Sequence, residues 1–250
     1  MKKSFCFAKL RQWSNWGKNV CVAVALAAIL GLTNLSGQEG GSSVTPVTKQ
    51  SFSENNLSVF ADKAMTKLKT GIGATQIQRI SDPFIRELAT SLKDGKHDLK
   101  NRYKAYVAYE PVNILARRLK TSEYNKYENP TGILFEDGEQ AVLWVEGMAN
   151  EKPELKIHDF GPQGRREKSY PLKDGLNIIE VRNGGLGYIS YYTKDFQNAP
   201  KIKAHILTGK VNGVFDSSVS KAEDWKGILS GTSCDVLDIV GQRVHLIYPV

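Results

Sequence analysis

The sequence predicts a mainly β protein: a jelly-roll-like β-sandwich of about eight strands, preceded by short helices. Three observations predict it. Apolar and polar residues alternate through 129–193, the period of strands with one buried face. Asp137-Gly138, Asp174-Gly175 and Asn183-Gly184-Gly185 interrupt that alternation with residues that accept positive φ, as tight turns require. Strands do not alternate with long helical patterns, so sheet packs on sheet rather than on crossover helices.

The elements follow in order. Basic residues up to Lys18 precede an apolar run from Val20 to Leu32, the length of a signal-peptide core and short for a membrane span. Residues 1–37 are therefore expected to be a signal peptide cut after Gly37, with an uncleaved anchor as the alternative, and the protein to be exported to the periplasm, cell surface or medium. Residues 38–52, rich in Gly, Ser, Thr and Pro, read as a flexible tether. A helical segment is expected over 53–120. Leu57, Phe60, Ala61, Ala64 and Leu68 make one apolar stripe; Ser81 caps a second helix through Phe84, Ile85, Leu88 and Leu92; a third, Val112 to Leu119, turns Ile114, Leu115 and Leu119 inward. Tyr103, Tyr106 and Tyr109 recur at a spacing that suits packing better than sugar binding.

The sandwich is expected over 121–250. Its strands are 132–135 and 141–145 as a hairpin, 155–160, then 176–181 and 186–192 as a second hairpin, 201–208, 236–240 and 244–248. A polar excursion, GPQGRREKS, separates the two hairpins, and a helix over 219–229, capped by Ser220, precedes the last strands.

Composition excludes several functions. The formal charge of +8 includes Lys2, Lys3, Lys9, Arg11 and Lys18, and subtracting those five leaves about +3, too little for a nucleic-acid partner. Cys6 and Cys21 fall in the leader, so Cys234 has no intramolecular disulfide partner. Cys234 with His245, or His158-Asp159 with a serine, have the parts of a catalytic group without its spacing, and no catalytic residue is assigned. Sandwiches hold sugars by stacking aromatic faces on the ring, which makes Trp144, Tyr188, Tyr191 and Trp225 the candidate glycan contacts, with Tyr192 beside them; part of this set must be core.

The series NPTGI (Asn129 to Ile133), Gly138-Glu139, DFG (Asp159 to Gly161), YPLKDGLN (Tyr170 to Asn177), GGLGYISYYT (Gly184 to Thr193), TGKVNGVFD (Thr208 to Asp216), Asp224-Trp225 and the closing DIVGQRVHLIYP resembles the N-terminal domain of the M60-like, enhancin-related metallopeptidases. The resemblance covers about residues 100–250, and the helices from residue 53 are similar to the segment that often precedes that domain. It implies an exported bacterial protein whose full-length relatives cleave mucin-type glycoproteins with zinc. It also implies that an M60-like catalytic domain is this chain's partner, with mucin or other host glycoproteins as further partners. Zinc hydrolysis in that family needs an HExxH helix. None of His97, His158, His205 and His245 is followed by Glu, and no two stand four apart. No metal ligand or cofactor is expected in this chain; by the resemblance, zinc is expected only in a catalytic domain missing from it.

Overall fold

Strong apolar alternation leaves each strand one or two faces to bury, and the molecule satisfies them in layers. The computed structural model describes residues 46–123, 128–161, 164–242 and 244–250, so the expected signal peptide lies outside the described residues. Among the described residues a 3-10 turn, Lys49–Phe52, comes first, followed by short helices: α1 (Glu54–Leu57), α2 (Ala74–Gln78), α3 (Pro83–Lys93) and α4 (Leu99–Arg102). Next come β1 (Tyr103–Tyr106), α5 (Val112–Leu119), β2 (Asn129–Phe135), β3 (Gln140–Glu146), β4 (Glu154–Asp159), β5 (Arg166–Pro171), β6 (Gly175–Glu180) and β7 (Gly185–Ser190). The chain closes with β8 (Ile202–Ile206), β9 (Lys210–Val211), β10 (Val214–Asp216), α6 (Asp224–Ser230), β11 (Val236–Val240) and β12 (His245–Pro249).

These strands form a four-stranded sheet, β1-β8-β3-β6, a five-stranded sheet, β5-β4-β7-β2-β9, and a three-stranded sheet, β10-β11-β12. The first two make the β-sandwich. Ile133, Leu143, Val145, Leu155, Ile157 and Ile206 belong to the fully buried core between them. On β3 the intervening residues Val142 and Trp144 face the other way, into a second apolar cluster beneath the helical segment. Two covered faces explain why β3 reads as the continuous run Ala141 to Val145.

Four strands escaped the sequence reading: β1, β5, β9 and β10. Both expected hairpins also proved to be crossings between sheets. Residues 136–139 carry the chain from β2 in one sheet to β3 in the other, and 181–184 carry it back from β6 to β7. The two turns brace each other: Gly138 N–H donates to the Val181 carbonyl, Val181 N–H to the Glu139 carbonyl, and Asn183 N–H to Asp137 Oδ1 at 2.7 Å.

The helical segment departs from its expected form at its start. Instead of one helix through Leu68, the chain folds back after α1, and Phe60 bridges to Leu68. The Asp62 carboxylate takes the Thr66 N–H and hydroxyl at 2.9 and 2.8 Å, an alternative to helical bonding, and Met65 has φ +57. Helix α3 is capped by Asp82, which accepts from Ile85 N–H at 3.1 Å, while Ser81 hydrogen-bonds Asn56. On α5 only Ala116 is buried, and Leu119, expected inward, is 44% exposed. Helix α6 starts at Asp224 because Ser220 is held in a turn by Asp216, whose N–H donates to its hydroxyl. The end of the expected tether is docked: Gln140 and Val47 exchange hydrogen bonds of 2.7 and 3.1 Å, fixing the chain from residue 47.

A histidine pair joins the helical layer to the four-stranded sheet. His205 Nδ1 faces the Ala64 carbonyl, which only accepts, so Nδ1 carries the proton and Nε2 accepts from His97 Nε2–H at 2.8 Å. His205 sits on the lysine-bearing side of β8 and is fully buried. Burial, His205 and Arg102 push His97 down to about 4, against an opposing pull from Asp98. Burial also lowers His205, with Arg102 reinforcing it and the Ala64 carbonyl and Asp62 opposing. A histidine whose folded value lies below its unfolded one takes up a proton on unfolding. Its contribution to stability is therefore complete above the ordinary value of 6.5 and lost as pH falls toward 4. Urea unfolding should show about 1–2 kcal/mol lost between roughly pH 7 and 4.5, allowing for His97's partial exposure, and His97→Gln should flatten that part of the profile.

Candidate docking face and its buried polar support

The outer face of the five-stranded sheet is the least ordinary surface in the fold. Strand alternation turns Leu155, Ile157 and Ile189 into the core and Lys156, His158 and Tyr188 outward, where an antiparallel sheet commonly meets water. Here all three are buried, at 4%, 1% and 1% exposure. Glu128, Arg165 and the β10-β11-β12 sheet cover them.

Two linked polar groups result. In the first, Lys156 Nζ lies 3.1 Å from Glu128 Oε1, and His158 Nε2 lies 2.7 Å from Glu128 Oε2. The Glu128 carboxylate only accepts, so His158 Nε2–H donates to it, and the Arg165 guanidinium lies against the same ring, with Nε and Nη2 each 3.1 Å from a ring nitrogen. Burial disfavours the charged Glu128, but the His158 hydrogen bond and the neighbouring His158 and Lys156 outweigh it and hold the carboxyl below its ordinary value. In the second group, the Tyr188 hydroxyl donates to Asp238 Oδ1 and Oδ2 at 2.8 and 3.1 Å, and His245 Nε2 meets Asp238 Oδ1 at 2.7 Å. Burial and the Asp238 carboxylate together push the Tyr188 hydroxyl far above its usual range. The His158 and Tyr188 rings meet edge to face, with centroids 4.7 Å apart, and connect the groups.

Asp238 lies on β11 and His245 on β12, so this buried network anchors the C-terminal sheet to the sandwich. The opposite side of that sheet is bare. Leu246 and Tyr248, with the flanking Val244 and Val250, are 50%, 48%, 46% and 54% exposed; Ile247, which pairs with Asp238 and shares its side, is 36% exposed, and among the described residues β12 pairs with β11 alone. Contiguous exposed apolar residues of this kind mark interaction surfaces.

The expected glycan contacts separate on this structure. Tyr188 is clamped under the C-terminal sheet. Tyr191, fully buried, donates its hydroxyl to the Pro200 carbonyl at 3.0 Å from within the sandwich core. Neither has a face on which a sugar ring can stack. Trp144 is half-buried at the margin of the helical layer, with Nε1–H donated to Glu146 at 3.0 Å. Trp225 is half-buried on α6, its ring 5.2 Å from Phe215 and 6.3 Å from Tyr248, so it borders the bare face. The structure does not gather the four into one site. The other pairings considered are also apart: Cys234 Sγ donates to the Val236 carbonyl and burial raises its thiol, while His245 serves Asp238. The GRREK loop, expected to be solvated, supplies Arg165 and Glu167 to the network.

The donor sets do not fit zinc. His97 and His205 bond each other, His158 is held between Glu128 and Arg165, and among the described residues no three His, Cys, Asp or Glu side chains are placed to share a metal ion. The network residues were missed because Lys156, His158 and Glu167 look like the wet side of strands. Asp238, a carboxylate inside the apolar run VLDIV, was the readable signal.

Residues 99–205 match the N-terminal domain of M60-like peptidases; the motifs from Thr208 onward lie beyond that match. Among solved structures, a metallopeptidase from Bacteroides thetaiotaomicron shares the fold at 24% identity and TM-score 0.69, over 84% of this chain and 37% of its own. A metallopeptidase in complex with Tn antigen does so at 24% and 0.57, over 62% of this chain and 30% of its own. A structure of the CBM32-1, CBM32-2 and M60 catalytic domains of Clostridium perfringens ZmpB does so at 17% and 0.56, over 80% and 24%. The chain thus spans 24–37% of the length of these relatives, and at such identities the likeness is one of fold. No curated protein matches the chain. Family match and shared fold agree with the motifs read from Asn129 to Thr193: residues 99–205 are similar to the N-terminal domain of M60-like peptidases.

Proposed function

We propose that this chain is the noncatalytic accessory region of an exported M60-like zinc peptidase acting on mucin-type glycoproteins, and that a catalytic domain docks on the bare face of the C-terminal sheet. The observation that carries this reading is β12: a strand with apolar residues exposed on both sides, held rigidly from below by Asp238. A surface meant only for water gains nothing from such anchoring. The sequence has no HExxH, so hydrolysis has to come from another domain.

The test is sedimentation of the purified chain with an M60-like catalytic domain from the same organism. A complex is expected, and Leu246→Asp or Tyr248→Asp should weaken it at least about tenfold without altering the fold, since both side chains are exposed. Independent sedimentation, or unchanged binding by both variants, would refute docking on this face. Trp225 beside exposed Tyr248 favours a second reading, a stand-alone glycan-binding module. Mucin binding by the chain alone, lost in Trp225→Ala, would select it.

A further inference from the structure

The sandwich is open along one edge. Strand β1 pairs with β8 on one side and, among the described residues, with no strand on the other. Strand β2 meets β9 at Ile133 and Leu134, its Gly132 carbonyl accepts from Asn212 and Gly213 N–H, and among the described residues Asn129 to Thr131 have no strand on that side. Between them lies a cleft of about 860 Å³, bounded also by the β9–β10 connection and α6.

A half-buried lysine ammonium stands in this cleft. Lys104 is on the inward face of β1, two residues before the buried Tyr106, and reaches across the edge to donate from Nζ to the Thr131 carbonyl at 2.9 Å. Among the described residues that is its one hydrogen bond, and an ammonium has three donors. Burial pushes Lys104 down to about 8; Asp98, Asp216 and Asp238 pull it up, and Lys100 pushes it further down. Asp216 is itself occupied, accepting from Ser218 N–H and hydroxyl at 2.9 and 2.7 Å. The remaining walls are largely apolar, with Val107, Val214, Val219 and Ile228 among them.

We propose that this cleft binds an extended acidic peptide, lying as an added strand beside β1 with a Glu or Asp carboxylate on Lys104 and apolar side chains against Val107, Val214 and Ile228. Each part of the occupant answers a feature of the cleft. The unpaired edge calls for a backbone with N–H and C=O groups at strand spacing. An anion between Lys104 and Lys100 relieves their repulsion and fills the ammonium's vacant donors. The valine and isoleucine side chains on the walls match apolar peptide side chains. The site is separate from β12 and does not depend on catalytic-domain docking.

The test uses a fluorescent, N-acetylated and C-amidated heptapeptide of alternating valine and threonine with a central glutamate, titrated into the purified chain by anisotropy. Its glutamine counterpart and galacturonate serve as the other arms. The glutamate peptide is expected to bind at least about tenfold more tightly than the glutamine peptide, as for a charge-assisted hydrogen bond in a sheltered site. That preference should vanish in Lys104→Met, with backbone amide shifts confined to 103–107 and 211–214. Lys100→Gln, at an exposed position where folding is not at stake, should weaken the glutamate peptide about threefold. Equal affinity for the two peptides, no saturable binding, or Lys104-dependent binding of galacturonate in place of the peptide would each overturn the proposal.

Discussion

Gly185→Ala is expected to lower stability by more than about 4 kcal/mol, enough to cost most of the soluble protein. A Cβ at this position would stand 2.2 Å from the carbonyl oxygen of His158 and 2.8 Å from Asp159 N. Both obstacles are backbone atoms of the neighbouring strand β4, so relief requires β7 and β4 to part where Leu186 pairs with His158. The adjacent Gly184 is similarly confined, 2.7 Å from the Phe135 carbonyl oxygen. Gly138→Ala provides the comparison. Gly138 has φ +78 but open space around its Cβ, so only backbone strain is incurred, about 1 kcal/mol. Chemical denaturation of the two variants separates close approach from turn strain; equal, small losses would show that β7 and β4 can move apart freely.

Lys156→Met should destabilise the protein by about 3–5 kcal/mol, although methionine fills nearly the same space. The loss comes from Glu128, 3% exposed, which would keep its charge without the ammonium 3.1 Å away. Removing that charge as well should restore part of the loss: Lys156→Met with Glu128→Gln is expected to be more stable than the sum of the single changes by at least about 1 kcal/mol. Urea denaturation of the four proteins measures this coupling. Strict additivity would mean that the two side chains do not interact across the sheet.

The sandwich was legible because alternation reports which face of a strand is buried. It does not report the neighbour. The same pattern around Glu136 to Glu139 and around Asn183 describes a hairpin or a passage between two sheets, and the passage was the outcome. Strand β5 was illegible because REKSYP has no apolar alternation: five of its residues are exposed and it lies at a sheet edge. Short β9 and β10 fall below the length at which a period can be seen. The candidate docking face was hidden for a related reason. Leu246, Ile247 and Tyr248 look like any closing strand, and their exposure depends on the absence of a layer above them, which no local pattern encodes. The aromatic residues misled in the opposite direction. Tyr188 and Tyr191 are large and amphipathic, as sugar-binding residues are, but their hydroxyls find Asp238 and the Pro200 carbonyl inside the fold.

One further side chain bears on how the chain reaches this state. Arg102, at the end of α4, donates to the carbonyls of Ile206, Thr208 and Gly209, 104 to 107 residues later in sequence. Strand β1, which follows it directly, is completed by β8 from that same late segment. Arg102 and β1 therefore gain these partners only once residues through Gly209 are available, the kind of distant pairing that slows folding.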